Sequence, residues 1–201
     1  MRTFVRVLII IAAVIGLAVA GILLFTDRVV TVQRTAEINA PAEVVFGQVN
    51  DFRNWEQWSP WAKMDPDMKI EYFGETGPGH SYTWTSENPQ VGNGKLAIEE
   101  SKPFESIKTK LSFDGQGDGQ GAWAFKEEGG KTAVSWSMTM DMGSNPIGRV
   151  FGAMLDGQVG PMFEQGLGDL KTVAEYEAEA LRKAAEEAAE AAEAEAAAAQ
   201  P

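Results

Sequence analysis

The 201 residues include no cysteine and a single histidine, His80. Disulfides, thiolate metal sites and cysteine nucleophiles are therefore excluded, and redox compartment is left open. Histidine-based metal clusters are excluded too, and any serine–histidine–carboxylate mechanism would depend on His80 alone, with no Gly-x-Ser-x-Gly elbow beside it. Positive charge is also scarce. The 17 Lys and Arg face 29 Asp and Glu, giving a formal net charge of -12, the wrong sign for a sequence-independent grip on nucleic acid. A chain this long has room for one domain core with appendages, so one site is expected.

What the sequence does contain first is a long apolar run. Phe4 to Phe25 is 22 residues interrupted only by Arg6. A helix advances about 1.5 Å per residue, so about 20 residues cross a hydrocarbon core of roughly 30 Å. Arg2 and Arg6 precede the run while Asp27 and Arg28 cancel after it, which places the N-terminus in the cytoplasm and the rest of the chain in the periplasm or outside the cell. Ala18-Val19-Ala20 also has the small-residue spacing of a signal-peptidase site, and cleavage after Ala20 is the competing expectation. Because Ile22-Leu23-Leu24-Phe25 prolongs the apolar run beyond that point, an uncleaved signal anchor over residues 1–28 accounts for both features.

A globular domain is expected over 29–176. Val30 to Ile38 is β-branched and partly alternating, as in a half-buried strand. Asn39-Ala40-Pro41 ends it, and Val44, Val45, Val49 and Phe52 follow at helical spacing, with a second short segment from Phe52 to Trp61. Six strands then alternate with glycine-rich gaps: Lys69–Phe73, Ser81–Ser86, Lys95–Glu100, Ile107–Phe113, Ala122–Lys126 and Thr132–Met140. Gly77-Pro78-Gly79, Gly92-Asn93-Gly94, Gly115 to Gly121 and Gly129-Gly130 are read as their turns, which makes an antiparallel meander the economical topology. Leu167, Leu170, Val173 and Ala174 recur at helical spacing and supply a covering helix, with a break or kink near Pro161 before it. Residues 177–201 are almost wholly Ala and Glu, and seven Glu face Arg182 and Lys183 there, as in a solvated helix or frayed tail.

Several segments resemble the START-like helix-grip superfamily, in its bacterial polyketide cyclase/dehydrase-like branch. Asn39-Ala40-Pro41-Ala42-Glu43-Val44-Val45-Phe46 is similar to its opening strand-to-helix turn, and Trp55-Glu56-Gln57-Trp58-Ser59-Pro60-Trp61 with Asp65-Pro66 to its tryptophan-rich segment. Gly92-Asn93-Gly94, Thr132 to Trp136 and Phe163 to Lys171 continue the likeness, which covers roughly Val29 to Glu175. The resemblance implies an α+β fold, an antiparallel sheet wrapped on a long C-terminal helix, and a superfamily of binding proteins, lipid carriers and a minority of enzymes. Fold alone selects none of these functions.

Strand alternation puts Tyr82 with Trp84, Leu96 with Ile98, Ile107 with Leu111 and Phe113, and Val134 with Trp136, Met138 and Met140 on common sides. Such side chains either cement a core or line a cavity for an apolar ligand. The expected ligand-binding set is Trp58, Trp61, Tyr82, Trp84, Leu96, Ile98, Leu111, Trp136, Met138 and Met154, with a lipid or other hydrophobic small molecule as partner and the membrane as a second partner through the N-terminal helix. No cofactor is implied. His80 follows a Gly-Pro-Gly turn and reads as an exposed turn residue, and the carboxylates Asp65, Asp67, Glu71 and Glu75 lack the spacing of a calcium loop. A binding module is the leading expectation. A cyclase or hydrolase would need a polar pair inside the cavity, and a scaffold would contact its partner through the Ala/Glu tail.

Overall fold

The computed structural model of the protein describes residues 2–114 and 117–198. Gly115 and Gln116 of the expected glycine turn, and residues 199–201 of the tail, lie outside them. The order of elements is α1 (Arg2–Phe25), β1 (Val29–Ile38), α2 (Ala42–Asn50), a 3-10 helix (Phe52–Gln57), α3 (Pro60–Met64), β2 (Lys69–Phe73), β3 (Ser81–Thr85), β4 (Gly94–Lys102), β5 (Ser106–Phe113), β6 (Gly117–Glu128), β7 (Lys131–Asp141) and α4 (Pro146–Ala198). Within α1, Phe4–Phe25 is long and apolar enough to cross a membrane.

The sheet runs β1-β7-β6-β5-β4-β3-β2, antiparallel throughout. Consecutive strands β2 to β7 form the meander, and β1 closes the far edge by pairing with β7 from Val29 opposite Asp141 to Ile38 opposite Thr132. The register of β4 on β5 shifts between Ile98 and Glu100, a bulge of the kind that bends a sheet around its concave side. Helix α4 covers that side with Leu155, Phe163, Leu167, Leu170 and Ala174, all buried. Arg34 on β1 fastens the helix from outside. It donates from Nε to Glu164 Oε1 at 2.7 Å and from Nη1 to Asp156 Oδ1 at 2.8 Å.

Two expectations from sequence are corrected here. The segment from Asn145 to Pro161 is not a separate piece ending in a break, because α4 starts at Pro146 and continues through Pro161. A proline inside a helix costs about 3 kcal/mol, but Leu155 before it and Phe163 after it are both anchored under the sheet, so packing holds the two halves in one helix. The glycines from Gly117 to Gly121 likewise belong to β6 rather than to a turn. Gly121 faces Thr109 so closely that a Cβ there would lie 2.3 Å from its hydroxyl oxygen, so a strand at this place requires glycine.

Candidate functional site

Period-two alternation aims one side chain in two of each strand at the concave face. Tyr82 and Trp84 come from β3, Leu96 from β4, Leu111 and Phe113 from β5, Trp123 from β6, and Trp136, Met138 and Met140 from β7. Helix α4 brings Leu155, Val159, Met162 and Phe163 across them, and Phe52, Trp55 and Trp61 close one side from the tryptophan-rich segment. These residues do not meet in the middle. They enclose a cavity of about 760 Å³, within the range of small-molecule sites.

A ring stack explains why the space stays open. Trp123 and Trp136 are opposite each other in the β6–β7 register and lie face to face, with centroids 4.5 Å apart and planes at 16°. Phe163 of α4 stacks on the other face of the pair, 3.9 Å from Trp136 at 5°. Rigid rings from two strands and the helix thus form a pillar between sheet and helix, and Trp55 and Trp58 brace it edge-on. Beyond the pillar the walls are Met138, Met140, Met68 and Ile70, side chains that leave room rather than fill it.

Of the ten residues expected to contact a ligand, Trp61, Tyr82, Trp84, Leu96, Leu111, Trp136 and Met138 line the cavity. Trp58 and Ile98 are buried in the core outside the lining, and Met154 lies on the exposed side of α4, 56% accessible. Sequence reasoning did not single out Trp123, Phe52, Trp55 or Phe163 as lining. Trp123 carried a usable signal, since Gly119, Gly121, Trp123 and Phe125 alternate inward, but reading the glycines as a turn hid the phase of the strand. Phe52 and Phe163 arrive from other elements, and no local pattern announces that.

Polar groups on the lining are few. Glu56 is the one charged residue among the described lining residues, and the Tyr72 hydroxyl donates to its Oε1 at 2.9 Å. Burial, followed by that hydrogen bond and the Glu56 charge, pushes the Tyr72 phenol above its usual range; burial does the same for Tyr82. Both phenols therefore stay neutral. The indole N–H of Trp84 donates to Val91 O at 3.4 Å, whereas the buried N–H of Trp123 has no hydrogen-bond partner among the described residues.

His80 is not an exposed turn residue: it is fully buried. The Gly77-Pro78-Gly79 turn folds back on β4, with Gly79 N donating to Ile98 O and Ile98 N donating to His80 O, both at 2.9 Å, which draws the side chain inward. Its ring lies between Phe52, 5.1 Å away, and Tyr72, 6.4 Å away, both stacked. Nδ1 is 3.1 Å from Phe73 O and Nε2 is 3.3 Å from Asp51 Oδ1. Burial tends to raise the Asp51 carboxyl, but the Arg53 N–H, the Arg53 charge, the Thr76 hydroxyl and His80 outweigh it and hold the group below the usual carboxylate range. Because His80 lies behind Phe52 and outside the cavity lining, its role here is to join the C-terminal end of α2 to β3.

A sequence model of one protein family matches residues 29–175, which is most of the chain. The chain belongs to the polyketide cyclase/dehydrase and lipid transport family. Its fold is the START-like helix grip, and solved structures agree at the level of fold. Protein CV1439 from Chromobacterium violaceum is 15% identical with a TM-score of 0.53, over 72% of this chain and 96% of that one. Protein NE0264 from Nitrosomonas europaea is 10% identical with a TM-score of 0.53, over 74% and 96%. DynU16, a protein of the dynemicin biosynthetic locus, is 16% identical with a TM-score of 0.52, over 73% of this chain and 46% of its own. No curated protein sequence matches this polyketide cyclase/dehydrase and lipid transport family member. Family membership is consistent with hydrophobic ligand binding, and the cavity must supply anything finer.

Proposed function

We propose that the protein is a membrane-tethered binding module that holds a lipid-like or other hydrophobic small molecule between its sheet and α4, on the outer side of the membrane. The single observation that carries this reading is the aromatic- and methionine-walled cavity of about 760 Å³ beneath α4. Apolar walls with a few polar groups are what an apolar ligand needs. The tether follows from α1, whose Phe4–Phe25 stretch meets the length and composition of a span, with the basic flank on its N-terminal side. Phe151 lines the cavity yet is 47% exposed, so the cavity opens at the beginning of α4. The same region is tied to the end of α1, because the Arg149 guanidinium donates to Thr26 O. The opening would then lie beside the membrane.

Native mass spectrometry of the full-length protein extracted in detergent should reveal apolar small-molecule adducts. They should be lost or changed in Trp84→Ala and Trp136→Ala variants that remain folded. Consistent absence of adducts, together with no binding of a fluorescent fatty-alcohol analogue, would refute the binding reading. A reporter fused after Tyr176 should be active only outside the cytoplasm, and cytoplasmic activity would reverse the orientation.

A further inference from the structure

The cavity is asymmetric in charge. Glu56 lines it and is exposed, so the cavity reaches solvent beside this carboxylate as well as at Phe151. Among the described residues, no Lys, Arg or His lines the cavity. Arg53 lies outside the lining, with its guanidinium carbon 5.9 Å from the centre of the Tyr72 ring. That guanidinium is already paired with Asp51, with Nη1 at 3.2 Å from Oδ1. The phenols of Tyr72 and Tyr82 are neutral, so among the described lining residues Glu56 supplies the only formal charge. Aromatic faces add to this preference: Trp61 and Trp84 line the cavity and are outside the Trp123–Trp136–Phe163 stack, and an indole face attracts cations.

We infer that the ligand of this cavity is a neutral or cationic amphiphile, one with a hydroxyl or amine head on an apolar body, and that anionic lipids such as fatty acids are disfavoured. The inference rests on the binding reading above and narrows it to a chemical class. An anionic head beside Glu56 would face that carboxylate with no cation on the described lining to offset it. A cationic head would pair with Glu56, an interaction that is partly solvated and therefore modest. Neutral heads lie between.

Three photoreactive dodecyl probes, alike except for a trimethylammonium, a hydroxyl or a sulfonate head, distinguish these cases. Each is added to the full-length protein in phosphatidylcholine vesicles, and adducts are mapped by mass spectrometry. Labelling of the peptide that carries Trp136, Met138 and Met140 is divided by labelling of the α1 peptide, which corrects for how much probe enters the membrane. Normalised labelling by the cation should exceed that by the sulfonate by about three- to five-fold, because Glu56 attracts one head and repels the other by a modest, partly solvated interaction, with the alcohol between them. Glu56→Gln keeps an acceptor for the Tyr72 hydroxyl and should bring the cation and the sulfonate to within about two-fold of each other. If the alcohol labels the cavity and the sulfonate labels it as strongly as the cation, the charge preference is wrong while the binding reading stands. If Glu56→Gln leaves a large cation preference in place, Glu56 is not its source. If none of the three probes, the alcohol included, labels the cavity, the binding reading itself falls.

Discussion

The middle and the end of α4 belong to one unbroken helix, yet they are held by different physics. From Phe163 to Ala174 the helix buries Phe163, Leu167, Leu170 and Ala174, a stripe at spacings of three and four that presses on the sheet. From Glu179 to Ala197 every residue is exposed. Only local forces act there: the high helix propensity of Ala and Glu, and ion pairs one turn apart such as Lys183 to Glu179 at 2.8 Å. Such pairs contribute little when both partners are solvated. A continuous helix is therefore not a uniformly stable one, and burial rather than backbone geometry separates the two stretches.

Leucine truncation gives the widest separation. Leu170→Ala, at a fully buried position, should cost about 2 to 5 kcal/mol in urea unfolding, while Leu181→Ala, 55% exposed, should stay within about 0.5 kcal/mol. Equal losses would show that the tail is packed after all.

Glycine replacement sharpens the same contrast on two residues of the packed stretch. A Cβ on Gly166 would lie 2.9 Å from the Trp136 ring and 3.0 Å from Pro60, both rigid, whereas Gly168 has nothing within 4 Å. Gly166→Ala should destabilise by about 1 to 3 kcal/mol through overpacking. Gly168→Ala should stabilise by up to about 1 kcal/mol, the ordinary helix preference for alanine. Opposite signs in thermal unfolding are the expected result. A stabilising Gly166→Ala would mean that α4 does not rest on the ring pillar.

The ionisable contacts beneath the 3-10 helix supply a pH-dependent contrast with the tail. Asp51 accepts from the Arg53 N–H and sits against His80, so Asp51→Ala should cost about 1 to 2 kcal/mol near neutral pH, as for the loss of a helix cap. The folded-state pKa of Asp51 is depressed, so its contribution is fully present above the unfolded value of about 3.9 and fades as pH falls through the lower folded value. The difference between wild type and variant should therefore shrink below about pH 4 in acid titrations of stability. Removal of the tail should have the smallest effect. Truncation after Glu179 is expected to move the melting temperature by only about a degree or two, and a larger fall would reveal a packed or partnered tail.

The repeating patterns were legible in the sequence because they are local. A 22-residue apolar run is a possible span in any context, alternation with glycine gaps forces an antiparallel meander, and a three-four stripe after Phe163 needs a sheet to cover. The inward face of β3, β4, β5 and β7 followed from period two alone, which is why six of the seven expected residues that line the cavity come from these strands, with Trp61 added from α3. Tertiary structure decided the rest. His80 looked exposed because the sequence shows a Gly-Pro-Gly turn but not the Phe52 and Tyr72 rings between which the turn places it. Pro161 looked like a break or kink because local cost is visible in sequence, and the break is overturned by Leu155 and Phe163 packing that spans α4 and the sheet. The ring stack of Trp123, Trp136 and Phe163 joins residues 40 positions apart in chain number at its ends. Only the folded chain sets the separation of helix and sheet, and that separation determines whether large aromatic side chains fill a core or surround a cavity.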